Sequence, residues 1–174
     1  MNTPNKLTLL RIILVPLFMF CCMHLAGPYA RLIATVIFVL AFLTDWMDGY
    51  LARKNNQVTN FGKIMDPLAD KMLTTAALVC LTAEGTVSAW VTVIILTREF
   101  IVSGIRIAAA AEGNVIAASI WGKLKTLWQS VALTAALLFG GHIVIDICIW
   151  IAAALTIISG VDYVVKNAKF LSMK

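Results

Sequence analysis

Charge is scarce in this 174-residue chain: 13% of its residues are Asp, Glu, Lys or Arg, whereas soluble domains carry roughly a quarter, and 61% are hydrophobic. That balance excludes an ordinary soluble domain and points to an integral membrane protein. At this length it forms one domain, 1–174, with no room for a separate soluble module. Nucleic-acid-binding signatures are missing, so the net charge of +5 is read as reporting orientation and contact with anionic lipid headgroups. The four cysteines, Cys21, Cys22, Cys80 and Cys148, lie inside apolar runs without C-x-x-C spacing. This argues against both a zinc site and a disulfide framework. There is no internal repeat or low-complexity stretch. A cleavable signal peptide is also not expected: the apolar run from near Leu7 is too long for a signal core and has no small-x-small site before Gly27.

What the chain does have is long apolar segments. A spanning helix needs about 20 mostly apolar residues. Six segments meet that need, at roughly 7–26, 30–53, 62–83, 87–110, 124–143 and 145–167. Gly27-Pro28, Glu84-Gly85 and Gly140-Gly141 punctuate three short turns, while 54–61 and 111–122 form two longer polar connections. The expected fold is therefore an all-α protein of six transmembrane helices with both termini on one side. Lys6, Arg11, Arg53, Lys54, Lys63, Lys123, Lys125, Lys166, Lys169 and Lys174 fall on that side, and the opposite turns carry only Arg31. By the positive-inside rule the termini face the cytoplasm, which makes this a multi-pass protein of the cell membrane.

Residues 45–70, DWMDGYLARKNNQVTNFGKIMDPLAD, concentrate the polar chemistry. Carboxylates in hydrocarbon are costly and mark functional sites. Asp48 and Asp66 fall about one turn inside their spans, and Asp45 and Asp70 about two turns inside, so the pairs match in depth. Spacings of three and four put each pair on one helix face, and two antiparallel neighbours then aim all four at one point. Such a set would repel itself unless hard cations held it. All-oxygen ligation favours magnesium, manganese or calcium, and two divalent ions would neutralise the four carboxylates and keep positions for phosphate oxygens. Gly49 and Gly62 leave room for a ligand to approach, and Arg53 stands one turn after Gly49, suited to a phosphate. His24 and His142 are far from this centre, at the other ends of their spans.

The pattern Asp45-x-x-Asp48-Gly49-x-x-Ala52-Arg53, eight residues, then Gly62-x-x-x-Asp66-x-x-x-Asp70 resembles the signature of the CDP-alcohol phosphotransferases, with every signature position present. The resemblance implies an enzyme that displaces CMP from a CDP-linked lipid with an alcohol hydroxyl, dependent on Mg2+ or Mn2+. It implies that Asp45, Asp48 and Asp66 ligate metal and that Asp70 is the general base and touches metal as well. Asp48, Gly49, Ala52, Arg53 and Gly62 would shape the CDP pocket.

Further motifs narrow the acceptor. Pro4-Asn5-Lys6-Leu7-Thr8, Thr97-Arg98-Glu99-Phe100, Ser103-Gly104-Ile105-Arg106 and Trp121-Gly122-Lys123-Leu124-Lys125-Thr126 resemble those of the phosphatidylglycerophosphate synthases of that family, over most of the chain. That branch implies CDP-diacylglycerol and sn-glycerol 3-phosphate as substrates. Arg106, Lys123 and Lys125 lie at cytoplasmic ends of spans and suit a second phosphate, with Arg98 as a further candidate. The alternative readings are structural charges for Arg98 and Glu99, paired across helices, and membrane anchors for Lys123 and Lys125. Lys71 points about 100 degrees from Asp70 and serves as charge balance. Trp90, Trp121 and Trp150 read as interfacial anchors. Small residues at Ala108–Ala111, Ala132, Ala135, Ala136 and Ala152–Ala154 suit close helix packing, and a homodimer is expected. Rival functions are another acceptor, inositol phosphate or phosphatidylglycerol, and a divalent-cation transporter. The transporter would need polar residues beyond Asp45 and Asp70, where the spans are apolar.

Overall fold

The computed structural model describes the backbone of residues 3–25, 27, 29–54, 60–111, 116 and 119–168, and the side chains of 9–25, 27, 29–44, 71–110, 116 and 119–168. Among these residues the secondary structure is wholly helical. The helices are α1 Thr3–His24, α2 Ala30–Lys54, α3 Asn60–Ala83, α4 Ala89–Ala111, α5 Ile120–Phe139 and α6 Ile143–Lys166. They contain 20 to 25 residues each, or about 30 to 38 Å of length, enough to match a hydrocarbon layer of about 30 Å.

By length and composition together, α6 alone qualifies among the described residues as a membrane-crossing helix, with a mean hydropathy of 2.3 over its most apolar window. The apolar parts of α1, α2 and α3, Leu9–His24, Ala30–Thr44 and Lys71–Ala83, are shorter. In α4 the apolar run is interrupted by Arg98, Glu99 and Arg106.

Glycine at positive φ ends the elements where the sequence places turns. Gly85, at φ 75°, closes α3, where the N–H groups of Thr86 and Val87 both donate to the Leu81 carbonyl. Gly140, at φ 73°, closes α5 with its N–H on the Ala136 carbonyl. This moves the fifth helix from the expected 124–143 to Ile120–Phe139. The start shifts because the Ser119 hydroxyl accepts from the Gly122 N–H and caps the helix there. Lys123 and Lys125 therefore sit inside the first two turns of α5.

The short turns collect at one end of the bundle. Arg31, at the start of α2, reaches Glu84 at 3.4 Å, and its guanidinium lies 2.7 Å from where a Cβ on Gly140 would stand. The cation of that end among the described residues is thus paired, and Gly140, which its positive φ favours, lies close beside it.

Helix α3 is central, in contact with α1, α2, α4 and α5, and α6 closes the far side against α4 and α5. The α2–α3 neighbourhood expected from the aspartate spacing is present, although each of the two packs more extensively on α1. The core is built of Phe18, Phe38, Leu73, Leu78, Leu81, Val91, Ile95 and Leu133, and small residues such as Ala77, Ala136 and Ala152 allow the close approach. Large apolar side chains, among them Trp90, Phe100, Ile107, Phe139 and Val165, face outward, a surface suited to lipid.

Candidate active site

The helices carry the four aspartate positions in pairs: Asp45 and Asp48 in the last three turns of α2, Asp66 and Asp70 in the first three turns of α3. Their side chains, with those of Gly49, Ala52, Arg53 and Gly62, lie outside the described residues. The donor set fits hard divalent cations by its chemistry: four carboxylates, no thiolate or imidazole, on two helices that touch. Among the described residues no group of three or more His, Cys, Asp or Glu offers a competing metal site.

The described part of the site begins at the next residue. Lys71 donates to the Ser103 hydroxyl, which in turn donates to the Glu99 carbonyl one turn back along α4. Glu99 is the centre of this wall. Its Oε1 takes an ion pair from Lys125 of α5 and another from Arg98 at 3.1 Å. Lys125 is 2% exposed, so it does not act as the surface anchor that lysine counting allows for. A cation buried in a low-dielectric interior demands a partner, and Glu99 supplies it.

Arg98 is held in a slot. A Cβ on Gly160 in α6 would stand 3.0 Å from its Cγ, and one on Gly122 in α5 would stand 3.5 Å from its Nη2. Gly160 thus opens space for the stem of the side chain, while Gly122 lies in ordinary contact with its end. Its Nε is a buried donor with no hydrogen-bond partner among the described residues.

Arg106 and Lys123 stand apart from that cluster. Both are exposed. Arg106 donates from Nε to the Tyr163 hydroxyl at 3.2 Å, with its guanidinium 5.7 Å from the ring centroid. The structure therefore splits the sequence-predicted acceptor set: Arg98 and Lys125 meet around Glu99, while Arg106 and Lys123 lie at the rim.

Two volumes adjoin the cluster. The first is a polar cavity of about 40 Å³ between α2, α3, α4 and α5, whose lining includes Lys71, Thr74, Glu99, Lys125 and Gln129. It has room for about one water, and the Gln129 carboxamide oxygen, buried and unpartnered among the described residues, marks it as polar. The second is an apolar groove of about 440 Å³ between α2 and α5, lined among others by Val39, Phe42, Leu43, Val131 and Leu138. Phe42 and Ser130 line both. The groove thus begins at the polar cavity, and Phe42 lies one turn before Asp45 on α2.

Sequence reasoning allowed Glu99 as a structural charge paired across helices, which its ion pair with Lys125 matches, but counted Arg11 only toward orientation although it is 1% exposed on α1. Burial is the missing signal, and burial is not written in composition.

Residues 1–158 match the CDP-alcohol phosphatidyltransferase family. Among similar proteins, a CDP-diacylglycerol–glycerol-3-phosphate 3-phosphatidyltransferase of Bacillus subtilis is 42% identical, with 95% of each chain covered. One of the same description from Rickettsia bellii is 40% identical over 93% of each. A probable phosphatidylglycerophosphate synthase of Mycobacterium tuberculosis is 44% identical, covering 95% of this chain and 81% of its own. With its aspartate signature on two touching helices and a match that spans most of its length, the chain belongs to the CDP-alcohol phosphatidyltransferase family.

Proposed function

We propose that the protein transfers the phosphatidyl group of CDP-diacylglycerol to sn-glycerol 3-phosphate, giving phosphatidylglycerophosphate and CMP. The observation that carries this reading is the Lys125–Glu99–Arg98 cluster. It is a cationic wall buried beside the helix that bears Asp70, and an acceptor without a phosphate would not need it. The names of the relatives from Bacillus subtilis and Rickettsia bellii point the same way.

In the proposed mechanism Asp45, Asp48, Asp66 and Asp70 hold divalent cations, two Mg2+ or Mn2+. When bound, these would supply positive charge to the diphosphate and to the departing CMP. Gly49, Ala52, Gly62 and Asp48 bound the CDP pocket, and Arg53 pairs with a phosphate. Arg98 and Lys125 hold the acceptor phosphate, with Arg106 and Lys123 guiding it in from the rim. Asp70 takes the proton of the acceptor hydroxyl as its oxygen bonds to the lipid-linked phosphorus, and the bond from that phosphorus to CMP breaks. Lys71 follows Asp70 in α3 and reaches the α4 side of the cavity, so the base and the phosphate-binding wall are one residue apart along the chain.

The apolar groove between α2 and α5 supports a lateral path for acyl chains, since it starts beside the polar cavity and is open at the surface. We take all six helices as spans, with both termini and the active site on the cytoplasmic side of the cell membrane, where soluble acceptor and CMP exchange. Membrane lipids surround the protein, and a homodimer is its proposed state.

The test offers purified protein CDP-diacylglycerol, Mn2+ and a panel of acceptors while CMP release is followed. Release with glycerol 3-phosphate at least tenfold above that with glycerol, inositol phosphate or phosphatidylglycerol is expected. Release with another acceptor alone would refute the substrate and keep the chemistry.

A further inference from the structure

Arg11 is a fully buried cation on α1, 1% exposed, and it is engaged rather than free. Its surroundings follow from the register of the helices that cover it. Arg11 stands seven residues before Phe18, close to two full turns, and so lies on the same stripe of α1 as the buried Val15 and Phe18. That stripe faces α2 and α3: the Phe18 and Phe38 rings meet at 5.9 Å, and the Cys22 side chain packs beside Cys80.

Both contacts fix the level of Arg11. Helices α1 and α2 are antiparallel, so seven residues back from Phe18 correspond to seven forward from Phe38, which is Asp45. Helices α1 and α3 are parallel, so eleven residues back from Cys22 correspond to eleven back from Cys80, which is Ala69, next to Asp70. Two independent registers therefore put this cation level with the inner aspartate of each pair. An isolated guanidinium cannot be buried there without a countercharge, and the acidic positions at that level are Asp45 and Asp70.

We propose that Arg11 is a positioning residue of the carboxylate centre. Its fixed positive charge balances the inner aspartates, Asp45 and Asp70, while no divalent cation is bound, and so competes with the cation for them. The inference rests on the reading above that these aspartates hold divalent ions, but the charge balance itself is testable without metal. A delocalised, always protonated guanidinium suits the task, because it stays charged and can bridge two acceptors.

The test uses the full-length protein in detergent after chelation. Arg11→Met is expected to lower the melting temperature of the metal-free protein by about 5 °C or more. Adding Asp45→Asn or Asp70→Asn to it should recover at least half of that loss, because the surplus negative charge is then removed. Arg11→Lys should keep most of the stability. Mn2+ binding without substrate, followed by loss of the free-ion EPR signal, should tighten on the order of tenfold in Arg11→Met, since a competing positive charge is gone. A general packing defect would not tighten it.

A loss of stability that neither asparagine relieves overturns the proposal, as does unchanged or weaker Mn2+ binding in a folded Arg11→Met protein. If Arg11→Met cannot be purified, recovery of folded protein with either asparagine supports the proposal, and failure with both overturns it. Wild-type protein that binds no Mn2+ would refute the metal reading instead, and the melting comparison would still decide the role of Arg11.

Discussion

Asp70→Asn is expected to reduce CMP release by about 10²–10⁴-fold at saturating substrates, the range that a positioned general base contributes. The amide keeps the size and one acceptor oxygen but cannot take up the proton of the attacking hydroxyl. Binding of the CDP-lipid should be largely spared, because its pocket draws on Gly49, Ala52, Arg53 and Gly62 and its cations keep three other carboxylates. The measurement pairs single-turnover CMP release with equilibrium binding of CDP-diacylglycerol to the variant. Full turnover in Asp70→Asn would remove it as the base. A rate loss matched by an equal loss of lipid affinity would recast it as a metal ligand.

The second large effect belongs to Lys125. Replacing it by Met leaves Glu99 in a buried wall with Arg98 as its one described cationic partner, and stability should fall by about 3 kcal/mol, at the low end for breaking a buried pair because Arg98 remains. The KM for glycerol 3-phosphate should rise at least tenfold if Lys125 also holds the acceptor phosphate. Stability and binding separate in the double variant Lys125→Met, Glu99→Gln. Removing both charges should restore most of the melting temperature, while the acceptor KM stays high. A double variant that regains both stability and acceptor affinity would reduce Lys125 to a structural partner of Glu99.

The parts of this fold that were legible in the sequence are those governed by one-dimensional rules. Gly85 and Gly140 end helices because their φ values suit glycine, and apolar stretches between such breaks become helices. The aspartates occupy helical positions on α2 and α3 because each spacing matches the helical repeat. The start of α5 was less legible, since Ser119 caps it within a stretch whose other residues give no sign of where a helix begins.

Facing was hidden for a different reason. In a soluble helix the polar face shows which side is outward, but α1 is apolar on both sides here, so the buried Val15 and Phe18 have no contrast against the exposed Ile13 and Leu17. Lysine counting near helix ends treats Lys125 and Lys123 alike, yet one is buried on Glu99 and the other exposed. The distinction depends on α4 lying opposite α5 at that level, which is a tertiary fact.

The wall of charges around Glu99 also has an arithmetic. Lys71, Arg98 and Lys125 approach one described acid, Glu99, so positive charge outnumbers negative among the described residues of the wall. A phosphate monoester above its second ionisation, near pH 6, carries two negative charges. Local electroneutrality therefore makes the ionisation state of the acceptor part of what the enzyme selects. Below that pH the monoanion brings one charge fewer to the wall than the dianion does, and the apparent KM for glycerol 3-phosphate is expected to climb on going further into acid, even where the protein itself is fully folded.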